Sequence, residues 1–116
     1  MSKTVKALIS WVPANKGGRR QPPIGPSYKT CVRFDEDPSW PDEAWTLVVD
    51  FIRSYGDGQY LYAKVYFLMP DAPDKFLHAG SRFQLYEGRR LVATGLVREG
   101  DVAPNEPAEF ESTLLH

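Results

Sequence analysis

Cys31, His78 and His116 are the only residues of this 116-residue chain that could run a thiol or imidazole mechanism. Such a mechanism needs the base within hydrogen-bond reach of the thiol and a third group that orients the base. The three residues come singly from a strand-like stretch, a loop and a tail, and no motif ties them to a carboxylate. The expectation is a non-enzyme with no catalytic residues; a small hydrolase using Cys31 or His78 is the rival from another class. Asp35, Glu36, Asp37, Asp42 and Glu43 crowd one loop. They lack the alternate ligand spacing and bracketing glycine of a calcium loop, and the histidines lack zinc-ligand spacing. A solvated acidic loop, no metal and no cofactor are expected.

Two other sets could bind rather than react. Lys16, Arg19 and Arg20 surround a Gly17-Gly18 pair, and Arg89 and Arg90 follow Glu87-Gly88. If the two stretches meet, they form a cationic patch whose arginines offer forked donors to carboxylate or phosphate. Against this stands a plainer reading, in which charged loop tips are solvated and Arg19 makes a structural salt bridge. Tyr60, Tyr62 and Tyr66 alternate with Lys64 among them. Alternate aromatic rings beside a cation can stack on bases or anchor a protein partner, or simply pack under a loop.

The elements that must position these residues are strands. Residues 82–97 read as a hairpin: Phe83 and Leu85 share a face, 87–90 reverse the chain, and Leu91, Ala93, Gly95 and Val97 return together. Val92, Thr94 and Leu96 give the second arm an apolar opposite face, which predicts a central strand. Upstream, residues 3–12, 28–34, 45–52 and 60–68 alternate in the same way. Residues 13–26 and 35–44 are loops by their prolines and glycines, 53–59 is a hairpin connection, and 69–80 is a loop with a helical turn near 75–78. Six strands without a convincing helix predict an all-β fold, a six-stranded closed antiparallel barrel that leaves no edge. The expected domain covers residues 1–98, and 99–116 is an acidic tail.

Composition narrows the setting. A formal charge of −1 gives no general attraction to nucleic acid or anionic membrane. One cysteine permits no intrachain disulfide and predicts a reducing, cytoplasmic setting. The apolar stretch near the N-terminus is too short for a signal peptide or a spanning helix.

Two stretches together resemble the C-terminal β-barrel, the third domain, of elongation factor Tu and related translation GTPases. Gly17-Gly18-Arg19-Arg20-Gln21-Pro22, followed by Tyr28-Lys29, is similar to that family's Gly-Gly-Arg-His-Thr-Pro loop and Tyr-Arg-Pro-Gln strand. Gly80-Ser81-Arg82-Phe83, then Glu87-Gly88-Arg89-Arg90, Val92, Gly95 and Val97, is similar to its Gly-Leu-Arg-Phe, Glu-Gly-Gly-Arg and Val-Gly-Ala-Gly-Val hairpin. The similarity spans roughly residues 3–97 and implies a Greek-key barrel that binds protein or tRNA. It places Lys29, Glu87 and Gly88 at tRNA-contact positions. Cys31 stands where the family has glutamine, Arg89 replaces a glycine, and the Met-Pro-Gly-Asp turn is missing. No GxxxxGK[ST] phosphate loop occurs, so nucleotide binding by the family's route is not expected. The sequence therefore predicts a stand-alone binding module for a protein partner, working through Lys16, Arg19, Arg20, Lys29, Glu87, Gly88, Arg89 and Arg90. The alternative is a binder of tRNA or other structured RNA.

Overall fold

The computed structural model describes residues 3–99. Six strands follow one another: β1 (Val5–Trp11), β2 (Ser27–Phe34), β3 (Trp45–Tyr55), β4 (Tyr60–Phe67), β5 (Arg82–Glu87) and β6 (Arg90–Glu99). They close into a barrel in the order β1-β4-β3-β2-β5-β6, with every neighbouring pair antiparallel. β2, β3 and β4 form a meander, and β1 lies beside β4 rather than β2, a Greek-key winding. β6, sandwiched between β5 and β1, is the central strand that its two apolar faces predict. No helix among the described residues is long and apolar enough to cross a membrane.

Alternation fills the interior. Val5, Ala7 and Ile9 of β1, Leu61, Ala63 and Val65 of β4, and Phe83 and Leu85 of β5 are all buried in one core. Each side chain of this size taken from water contributes about 1.5–3 kcal/mol, opposed by the entropy of ordering the chain. Gly95 matters because of what lies above it: a Cβ there would stand 2.1 Å from the Phe83 ring. The absence of a side chain on β6 is what admits that ring to the core.

The strict alternation expected for the second hairpin arm fails at one point. Leu85 pairs with Ala93 but Tyr86 pairs with Leu91, so Val92 is the extra residue of a β-bulge. Val92 and Ala93 are consequently both buried, while Leu91 is only partly covered. β3 runs through Tyr55, longer than its apolar pattern suggests, and the turn near 75–78 is a short 3-10 helix at Asp74–Phe76. β6 continues through Glu99, one residue past the expected domain limit; residues 100–116, including His116, lie outside the described residues.

An antiparallel barrel sends its connections alternately to two ends. Residues 12–26, 56–59 and 88–89 gather at one end, residues 35–44 and 68–81 at the other. The first end carries Lys16, Arg19, Arg20, Arg89 and Arg90; the second carries all five acids of the 35–44 loop. A chain of near-zero net charge is therefore strongly polar along its barrel axis.

Candidate functional site

At the basic end, the 13–26 loop is folded by its own backbone before any side chain acts. Ala14–Lys16 form one 3-10 turn, closed by Gly17 in the left-handed region at φ 94°. Gly18 then donates its N–H to Pro13 O at 3.0 Å. A Cβ on Gly18 would lie 1.9 Å from the Val12 carbonyl oxygen, so only glycine permits this approach. The pair returns the chain across the end of β1 and delivers Arg19 to the β5–β6 turn.

There Arg19 and the Tyr28 hydroxyl both donate to Oε2 of Glu87, the last residue of β5. Arg19 also donates through Nε to Gln21 O at 3.1 Å, and its guanidinium lies 5.7 Å from the centre of the Tyr28 ring. Below this group Trp11 meets Tyr28 edge-on at 5.7 Å. Burial alone would raise the Glu87 carboxyl, but hydrogen bonds from Tyr28 and Arg19 and the charges of Arg19 and Arg90 hold it below the usual range. The Tyr28 hydroxyl is pushed up to about 12, first by burial and then by its bond to Glu87. Glu87 is thus an ionised clamp that fastens the Gly-Gly loop to the hairpin.

The two basic stretches therefore meet. The meeting costs Arg19 its freedom, as the plainer reading of that residue anticipates; its side chain is ion-paired and partly covered. Lys16, Arg20, Arg89 and Arg90 remain exposed around it, with Gly88 and Arg89 forming the two-residue tip between the paired Glu87 and Arg90. Lys29 is exposed too, but on the outer wall of β2 opposite Val48.

The tyrosine set divides. Tyr60 is 40% exposed and stacks on Tyr55 at 5.6 Å. Tyr66 is half-buried, its hydroxyl raised by burial and by the nearby Asp50. Tyr62 is 1% exposed, so the expectation that it contributes to an aromatic surface is wrong. Alternation places it outward, as expected, but outward on this wall of the barrel does not mean exposed.

Sequence pattern missed two features. Arg19, Arg20 and Pro22 share a cleft of about 250 Å³ with Gly56, Asp57 and Gln59 of the β3–β4 hairpin, and Ile24 on the same loop is 89% exposed. A shallow groove of about 540 Å³ also runs over β1, β6 and β5, lined by Leu8, Ser10, Thr94, Leu96, Tyr55 and Tyr60. Its signal was present in the small or apolar outward positions of β1 and β6, which only the β1–β6 pairing makes contiguous.

The residues weighed for catalysis and metal binding have other partners. Cys31 is half-buried in mid-β2 between Thr46 and Tyr86. His78 contacts Glu36 through Nε2 at 2.8 Å and Ala79 O through Nδ1 at 3.1 Å. The bond to Glu36, then that to Ala79, raises its pKa. Asp35 accepts a bond from Gln84 at 2.7 Å and Asp37 accepts one from the Ser39 amide at 2.8 Å. Among the described residues no group of three or more His, Cys, Asp or Glu side chains is arranged to hold a metal ion. No family model matches the chain, and no curated protein matches it.

Proposed function

We propose that the protein is a non-enzymatic binding module that engages an acidic protein partner through the basic end of its barrel. The observation that carries this reading is the composition of that end. Exposed Arg20, Arg89 and Arg90 share it with Ile24 and with the stacked Tyr55–Tyr60 pair of the neighbouring hairpin. Arginine, tyrosine and an aliphatic anchor together are the make-up of protein-binding hot spots, whereas a phosphate-binding surface needs no exposed isoleucine. The resemblance to the third domain of elongation factor Tu supports the same reading, since that barrel packs on protein neighbours as well as on tRNA. The absence of a phosphate loop argues against a nucleotide-dependent version. The single thiol suits a reducing, cytoplasmic setting.

The test is capture from the native cell extract with the wild type and three variants: Arg20→Glu/Arg89→Glu/Arg90→Glu, Ile24→Asp and Tyr55→Ala/Tyr60→Ala. The reading expects one protein lost by the first two variants, with unfolding curves unchanged. Loss only with the tyrosine pair would move the site to the groove over β1 and β6. Binding of tRNA with a salt slope of several phosphates would replace the protein partner by RNA. Hydrolysis of generic esters that disappears with Cys31→Ser or His78→Ala would establish the hydrolase instead.

A further inference from the structure

The groove over β1, β6 and β5 is contiguous by register. Leu8 pairs with Leu96 and Ser10 with Thr94, which makes a floor of one apolar row beside one hydroxyl row. On one flank Ser10 also pairs with Tyr60, and Tyr60 with Tyr55; on the other, Leu96 pairs with Arg82 and Thr94 with Gln84. All of these positions alternate with core residues, so their side chains stand on the outer wall. The two flanks differ in chemistry. The aromatic flank is built by the hairpin: Gly56 has φ 62°, and a Cβ there would stand 2.7 Å from the Tyr60 ring, so its absence admits the Tyr55–Tyr60 stack. On the cationic flank Gln84 is held in place, accepting from Arg33 at 3.3 Å and donating to Asp35 at 2.7 Å. Arg82 is the one charged residue among those lining the groove, and it is exposed. Asp35 donates its amide to the Arg82 carbonyl but turns its carboxylate to Gln84, and among the described residues no acid pairs with the Arg82 guanidinium.

We propose that this groove binds a small free carboxylic acid with an aromatic body, its ring against Tyr60 over Leu8 and Leu96 and its carboxylate on Arg82. Size favours a small molecule: about 540 Å³ falls within the range of roughly 300–1,000 Å³ typical of such sites. Tyr60 and Arg82 stand on strands three spacings apart, about 14 Å. Both side chains reach inward, which leaves the span of one ring and a short carbon chain. Charge decides the ionic end. One planar guanidinium with no acid beside it matches the two oxygens of a carboxylate, whereas a phosphate dianion calls for more donors than this flank supplies. The ring end follows from the tyrosine wall and the Leu8–Leu96 floor, which offer an aromatic body both a ring face and apolar contact. The Ser10 and Thr94 hydroxyls flank that floor and give a polar ring substituent its partners. Arg20, Arg89 and Arg90 take no part, so this site does not rest on recognition of a protein at the basic end.

Amide-resolved NMR titration of the full-length protein with hydrocinnamate tests this. A probe of that size should saturate with a Kd of about 1 mM or below, and its shifts should centre on residues 8–10, 60 and 94–96. The uncharged hydrocinnamamide should bind wild type at least about fivefold more weakly, and hexanoate, which lacks the ring, should also bind more weakly. Arg82→Gln should reduce the affinity for the acid to that for the amide and leave the amide unchanged, while Tyr60→Ala should weaken both. No saturable shifts at about 10 mM probe, or shifts centred on another part of the barrel, would overturn the proposal. Equal binding of acid and amide, or of hydrocinnamate and hexanoate, would do the same with wild type alone, so the outcome does not depend on a variant that folds. Much tighter binding of a short peptide ending in phenylalanine would overturn it as well, by assigning the groove to a chain end.

Discussion

The barrel end that carries residues 35–44 and 68–81 is closed by carbon. Phe76 stacks on Phe34 at 5.7 Å, Phe34 touches Phe67 and Phe83 in turn, and Leu77 beside Phe76 is fully buried. The opposite end is closed by charge: Glu87 holds Arg19 and Tyr28 over the Trp11 ring. Hydrophobic closure spends nothing that a partner could use, and it leaves the acids of its loops to structure themselves, Asp35 on Gln84 and Asp37 on Ser39. Ionic closure neutralises Arg19 and leaves Arg20, Arg89 and Arg90 exposed around it. The contrast sets an apolar closure at one end against a charged one at the other, where the proposed binding surface lies.

The largest test of that contrast is Phe34→Ala, which empties the hub of the carbon-closed end. It should cost ~3–5 kcal/mol in urea unfolding, since the lost transfer energy is joined by a cavity, and leave partner capture intact at temperatures where the variant is folded. Gly18→Ala comes next. Its Cβ must displace the Val12 backbone, and the cost should be ~1–3 kcal/mol by overpacking, now with weakened capture because the loop shifts. A stability loss of the same size with unaltered capture would break the assignment of recognition to this end.

Glu87→Gln should be milder, ~1–2 kcal/mol for charge-assisted bonds at a half-exposed site. Its pH dependence follows from the lowered carboxyl. The stabilisation is present above the carboxyl's unfolded value and disappears as pH falls through its lower folded value, so wild type and variant should converge in acid. High salt should narrow the gap as well. The smallest effect belongs to His78, at the other end. Its raised pKa means that the bond to Glu36 contributes below the ordinary value of 6.5 and is lost as pH rises through the folded value. An NMR titration of the imidazole should show the upward shift, and Glu36→Gln should lower it.

How far these features were legible in the sequence depends on their range. Period-two alternation placed all six strands, because a half-buried strand writes its two faces directly into residue order. It carries no sign of the bulge that inserts Val92, and the outward position of Tyr62 says nothing of what lies above it. Gly17 and Gly18 were visible as a motif, but what requires them is a positive φ at Gly17 and, at Gly18, a backbone approach so close that a Cβ would stand 1.9 Å from the Val12 carbonyl oxygen, which no local pattern encodes. The pairing of Arg19 with Glu87 spans 68 residues, and that of His78 with Glu36 spans 42. Both depend on barrel closure, which brings together side chains that propensity treats as unrelated.

The central claim is that recognition sits at the charge-closed end. Amide hydrogen exchange of the protein alone and in complex with its captured partner tests it most directly. Protection on binding should fall on residues 12–26, 56–60 and 87–90 and leave 35–44 and 68–81 unchanged. Protection confined to the 35–44 and 68–81 loops would contradict it.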